Sequence, residues 1–208
     1  MTYRVFLIII TLLLFASFAP FSTEARADYF VWNDEKTGAL ISFPDTWHVV
    51  NNQNPGDIIT LAAPIDFNDI PQCRLNVLED HRYMIFPKRY ARAVQMAGFG
   101  QEFWKNYIAA HYPSGAIEDY QPQAGLGKGF GSFVFVNYKD DDFAKTLDMR
   151  AMVTSAHYAG RHYIFECKAR QAGFEKWRPV FQSIAGSVDM QKIYTFEKSG
   201  YYRDFLKD

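Results

Sequence analysis

Residues 130–188 constrain the fold more than any other stretch, because three strand-like runs there lead directly into one amphipathic helix. The run 131–138 is dense in Phe and Val with tolerant residues between, the composition of a pleated, half-buried surface. Leu147, Met149, Ala151 and Val153 then alternate with Asp148, Arg150 and Thr154, which predicts a return strand with one wet face. After Ala159 and Gly160, Tyr163, Phe165 and Cys167 fall on one side of a third strand and His162, Ile164 and Glu166 on the other. The Asp residues at 140, 141 and 142 are expected to turn the chain between the first two strands.

Phe174, Trp177, Phe181, Ile184 and Val188 recur every three or four positions, so a helix there presents one apolar stripe to the sheet. Pro179 interrupts it: either the regular helix begins near this residue or it kinks there.

The rest of the chain reads as more strands around a helical middle. A hairpin is expected from 29–32 into Ala39, Ile41 and Phe43, closed by Pro44 and followed by Trp47. Short strands follow at 58–63 and 73–78, with loops at 51–56 and 64–71. Pro87 opens a helix whose inner face is expected to carry Tyr90, Val94 and Ala97. A second helix places Phe103, Trp104, Tyr107, Ile108 and His111 in a stripe, and Pro113 with Gly115 stops it. A further strand is expected over 116–121. The fold class predicted is α+β, an antiparallel sheet flanked by helices.

At the N-terminus, Arg4 precedes an uncharged apolar run from Val5 to Ala19, and Ala25 and Ala27 sit three and one before a cut at Asp28. This pattern is that of a signal peptide over 1–27, with an exported chain, periplasmic or extracellular, beginning at Asp28. The apolar run is shorter than the roughly 20 residues that span a bilayer, so no integral membrane span is expected once it is removed. The remainder divides into one domain over 28–189 and an aromatic tail over 190–208. Apolar residues make up 49% of the 208, enough to offset chain entropy and exclude a disordered chain. Net charge is −1, falling to −2 when two basic residues and one acidic residue leave with the leader, and the charges are mixed along the chain. Nucleic acid is therefore not an expected partner.

In an oxidising compartment Cys73 and Cys167 are the candidates for a disulfide, with two separate buried thiols as the alternative. Read together, the segment from Thr37 to Trp47, with its glycine, alternating strand, closing Pro44 and Trp47, and the final strand–helix pair through Phe174, Phe181, Ile184 and Ser187 resemble the PsbP family and its Ran-binding Mog-type relatives. The resemblance covers most of 28–189. It implies an α-β-α sandwich used as a binding or assembly module, and none of the family's partner or metal contacts is matched residue by residue.

No stretch carries a catalytic motif. Gly125, Gly127, Gly129 and Gly131 with Lys128 look like a phosphate loop, but no Ser or Thr follows the lysine and a strand comes next, so a flexible connector is expected. His157 and His162 flank the Ala159–Gly160 turn, and two ligands without a third from His48, His81 or His111 do not make a zinc or copper site. Asp140, Asp141 and Asp142 lack the glycine and distant glutamate of a calcium loop. Ser42, Ser132, Ser155 and Ser183 lack a nucleophile elbow. Arg82, Lys88, Arg89 and Arg92 read as a solvated basic face.

No catalytic, cofactor-binding or metal residue is assigned, and no cofactor is expected. The function expected is a non-catalytic exported module for a protein partner or small ligand, with Tyr194, Phe196, Tyr201, Tyr202 and Phe205 as partner contacts. The competing readings are a small secreted hydrolase or metal-dependent enzyme, using a site built from distant His, Asp and Glu side chains, and a self-associating envelope protein.

Overall fold

A computed structural model describes residues 28–51, 54–64, 68–82, 88–143 and 145–191. The leader expected over 1–27 and the tail residues Tyr194, Phe196, Tyr201, Tyr202 and Phe205 lie outside the described residues.

Strands β1 (Tyr29–Asp34) and β2 (Ala39–Pro44) form an antiparallel hairpin. The Asp34 carboxylate accepts from the Thr37 N–H at 2.9 Å and its hydroxyl at 2.5 Å, an Asx-type turn. Ala39, Ile41 and Phe43 point into the core as their alternation predicts. The seven-stranded antiparallel sheet runs in the order β3 (His48–Val49), β4 (Asp57–Ala62), β5 (Gln72–Glu79), β9 (Arg161–Arg170), β8 (Lys145–Tyr158), β7 (Gly129–Phe143), β6 (Ala116–Leu126). β10 (Asp189–Met190) adds to the free side of β2, so the packed fold includes Met190, one residue past the boundary drawn from the sequence.

Helices lie on both faces of the large sheet. On one face α3 (Phe174–Ser187) and β2 cover Leu61, Leu75, Phe135, Met152 and Phe165, with Phe174, Phe181 and Ile184 turned inward from the helix. On the other, α1 (Ala91–Gly98) and α2 (Gln101–His111) lie against β6, β7 and β8, and Trp104 and Ile108 pack on Val134, Val136, Ala151 and Val153. The middle of β9 is packed on both faces in consequence, which is why Tyr163 and Ile164 are both buried. The fold class is thus α+β, an antiparallel sheet between helices.

Four local expectations are corrected. The acidic run does not turn: β7 continues through Asp140 to Phe143, and Asp140 reaches Lys168, two strands away in β9, at 3.6 Å. The glycine-rich run is not a flexible connector but the β6–β7 hairpin, with Gly127 at φ +56° and Lys128 Nζ donating to Asp189 Oδ2 at 2.5 Å and to the Met190 carbonyl at 3.0 Å. α1 turns Gln95 inward, not Tyr90 or Ala97, because the Gln95 amide donates to the Pro122 carbonyl at 2.9 Å and to the Gly131 carbonyl. His111 is exposed at the end of the α2 stripe, its ring 4.3 Å from that of Tyr107.

Pro179 lies inside α3. The carbonyl that loses its donor belongs to Glu175, and both residues are exposed, so water takes the missing partner's place at little cost.

Candidate functional site

The two helices beside β6–β8 leave the β4–β5–β9 flank of that same face uncovered, and the side chains there are polar. Register explains the grouping. Thr60 is opposite Arg74, and Arg74 is opposite Glu166; two rungs away, Gln72 is opposite Lys168. Residues directly opposite in an antiparallel pair share a face, so three strands present Thr60, Arg74, Glu166, Gln72 and Lys168 together. The end of α2, with Tyr112 and Pro113, and the end of β7, with Tyr138, Lys139 and Asp140, wall off a cleft of about 310 Å³ above them.

The cleft floor is an ion cluster. Arg74 donates from Nε at 3.0 Å and from a terminal nitrogen at 2.7 Å, both to Glu166 Oε2, and the Tyr112 hydroxyl donates to the same oxygen. Asp57 lies on the other side, 3.8 Å from Arg74, and accepts from the Asn76 amide at 3.2 Å. Glu166 is 3% exposed, so it is a charge held inside the protein by these partners.

Its field reaches its neighbours. Burial opposes charging Arg74, but the adjacent Glu166 and Asp57 carboxylates outweigh it and raise its pKa above the ordinary value. Burial and then Glu166 push the Tyr112 phenol well up, and raise Tyr138 likewise. The same two causes push Tyr107 up to about 12.

A second polar cluster lies at the other end of the same face. His157 and His162 are opposite each other across β8 and β9. They do not share a ligand position. His157 Nε2–H donates to the Asp80 carbonyl at 2.8 Å, whereas His162 Nε2 and Ser155 Oγ share a hydrogen bond of 2.7 Å beneath Phe99, whose ring lies 4.8 Å from the imidazole. His162 is buried, and burial pushes it down to about 4, so it is neutral at pH 7. Arg82, bonded to Asp80 at 2.8 and 2.7 Å, holds that carboxyl down to about 2.

The remaining sequence candidates scatter. His48 is exposed elsewhere, His111 is exposed at the margin of the cleft, and His81 is 3.9 Å from Glu79. Among the described residues no three His, Cys, Asp or Glu side chains are placed to hold a metal. The Ser132 hydroxyl donates to the Phe99 carbonyl and accepts from the Trp104 indole, pinning the α1–α2 elbow to β7. Ser42 is tied by its backbone to the Ser187 hydroxyl, and Ser183 is exposed on α3. Arg89 lies over the Tyr90 ring at 5.0 Å, and Arg82 is engaged by Asp80.

Cys73 and Cys167 are bonded, their Cα atoms 4.0 Å apart, and a disulfide points to an oxidising compartment. The bond also carries the signal that finds the cleft from sequence alone. Antiparallel pairing of Cys73 with Cys167 requires Arg74 to stand opposite Glu166, the one carboxylate in an otherwise apolar run.

No family model matches the chain, and no curated protein matches it. Solved structures are similar at a distance. Cyanobacterial PsbP (CyanoP) from Synechocystis sp. PCC 6803 is 13% identical, at a TM-score of 0.48 over 81% of this chain and 95% of that one. LpqN, involved in cell envelope biogenesis of Mycobacterium tuberculosis, is 12% identical at 0.46, covering 80% and 92%. The Saccharomyces cerevisiae Ran-binding protein Mog1p is 7% identical at 0.49, covering 79% and 96%. PsbP and Mog proteins, which the sequence resembles, are thus among the similar structures. The likeness is one of fold at long range and brings no residue role or partner to this chain.

Proposed function

We propose that this protein is an exported, non-catalytic binding or assembly module that holds a protein partner or small ligand at the Arg74 cleft. The leader-like sequence at 1–27 and the buried disulfide support export. One observation carries the binding reading: the charged groups on the floor of the cleft are spent on one another. A nucleophile or general base needs an activated group with a lone pair to offer. Here Arg74 and Tyr112 both occupy the same Glu166 oxygen, so this carboxylate anchors a recognition surface. The Ser155–His162 pair has hydrolase-like components, but Ser155 is fully buried and His162 lies under Phe99, out of a substrate's reach.

The test is a photo-crosslinking residue placed at Gln72, at the cleft, and separately at Ser183, on the exposed side of α3. After irradiation of intact cells, a discrete mass adduct at Gln72 and none at Ser183 is expected. Bare protein from both positions overturns the reading, as does substrate turnover that a cleft substitution abolishes.

A further inference from the structure

The charges on the floor of the cleft are matched inside the protein, while the exposed Lys139 and Asp141 line it further out. Arg74 lies between Glu166 and Asp57, and Lys168 lies 3.6 Å from Asp140. A charged ligand seated on the floor would have to break one of these pairs and leave its partner buried and uncompensated, which is costly. The hydrogen-bonding capacity left over on the floor is uncharged. Thr60, 5% exposed, lines the cleft, and its buried Oγ1 has no hydrogen-bond partner among the described residues. The Gln72 and Asn54 amides stand on the walls. A buried hydroxyl left without a partner costs free energy, so this position is one where an incoming group is rewarded.

A hydroxyl is the ligand group that fits. It donates and accepts at once, so it can bond Thr60 and a side-chain amide together, or lie along a guanidinium or carboxylate edge, without importing a charge. The cleft volume, about 310 Å³, is at the small end of ligand pockets. Tyr112, Tyr138 and Pro113 give one wall apolar surface for C–H groups. The geometry points to a neutral, hydroxyl-rich ligand of the sugar or polyol class, seated on Thr60 and the Arg74–Glu166 pair. This inference rests on the binding reading above and names the ligand class for the same cleft.

The experiment is an amide ¹H–¹⁵N NMR titration of the mature protein with glycerol, glucose, maltose and cellobiose, set against sodium phosphate and glycine as charged probes. Shifts confined to the rungs of Thr60, Gln72, Arg74 and Glu166 are expected with one or more neutral probes and not with phosphate or glycine. Thr60→Val, which removes only the hydroxyl, is expected to weaken that binding about fivefold. The urea midpoint of the variant should not fall, since the hydroxyl holds no partner among the described residues. Shifts with phosphate or glycine in place of the neutral probes overturn the proposal, as does a sugar affinity that Thr60→Val leaves unchanged. If the neutral probes shift nothing but an extract of the cell envelope shifts the same amides, the ligand class is wrong and the binding reading stands. Silence from both takes both down.

Discussion

Cys73 and Cys167 stand directly opposite each other in β5 and β9, joined by their sulfurs, on the rung beside the one that carries Arg74 and Glu166. Successive side chains of a strand point to opposite faces, so the bond lies in the α3 core while the ion pair floors the cleft. The disulfide thus fixes from behind the spacing of the two strands that present the site.

Replacing both cysteines with alanine is expected to cost about 4 kcal/mol, since the bond closes a loop of sequence separation 94. Urea unfolding of the variant against the oxidised parent measures it. Both sulfurs belong to residues 1% exposed or less. With reductant present, alkylation should therefore label them only when denaturant is added, and labelling of the native protein would show that the strands open.

Arg74→Ala leaves Glu166 buried without its main counter-charge and is expected to destabilise by about 3 kcal/mol or more. Glu166→Gln relieves part of that loss in the double variant, so the two changes are not additive. A double-mutant cycle by chemical unfolding reads the coupling directly, and simple addition of the two effects would mean that the pair does not interact.

The His162 imidazole gives a pH dependence with a definite sign. Its folded pKa, about 4, lies below the unfolded value of 6.5, and burial is the cause, with Asp80, His157 and Arg82 as charged neighbours. The unfolded chain therefore takes up the proton first. The contribution is fully present above pH 6.5 and is lost progressively as pH falls from there toward 4. A loss on the order of 2 to 3 kcal/mol is expected between pH 7 and pH 4.5. His162→Gln should flatten this part of the profile, measured as unfolding free energy against pH. The Asp80 window, between 3.8 and about 2, lies lower and is distinguishable.

Two glycines should respond oppositely to alanine. At Gly127, φ is +56° and a Cβ would lie 2.7 Å from the Val188 carbonyl oxygen, so Gly127→Ala is expected to cost about 3 kcal/mol and loosen the hairpin from β10. At Gly186, inside α3, a Cβ would meet nothing within 4 Å, and Gly186→Ala is expected to stabilise by about 0.5 to 1 kcal/mol. Thermal unfolding of both variants is the check.

The parts of this fold legible in the sequence are those where period and burial agree. Tyr163, Phe165 and Cys167 alternate because the sheet has two packed faces, and Phe174, Phe181 and Ile184 repeat because α3 has one. The inner face of α1 was not legible, because Gln95 goes inward for two backbone carbonyls that belong to residues 27 and 36 positions away. Nor was the acidic run, whose local turn preference yields to the β7–β8 ladder and to Lys168. The cleft is hidden for the same reason. Arg74 and Glu166 are 92 residues apart and each looks ordinary in its own strand; only the pairing of their cysteine neighbours puts them on one rung.

β6 forms one edge of the seven-stranded sheet, eleven residues long, and it is a poor template for another strand. Its register against β7 breaks twice, at Ile117–Asp119 and Gln121–Ala124, Pro122 offers no amide, and Glu118 and Asp119 place charge at the first break. Copies of the protein crowded together therefore gain little by adding strand to strand along this side, and a polymer of continuous hydrogen-bonded sheet cannot readily grow from this edge.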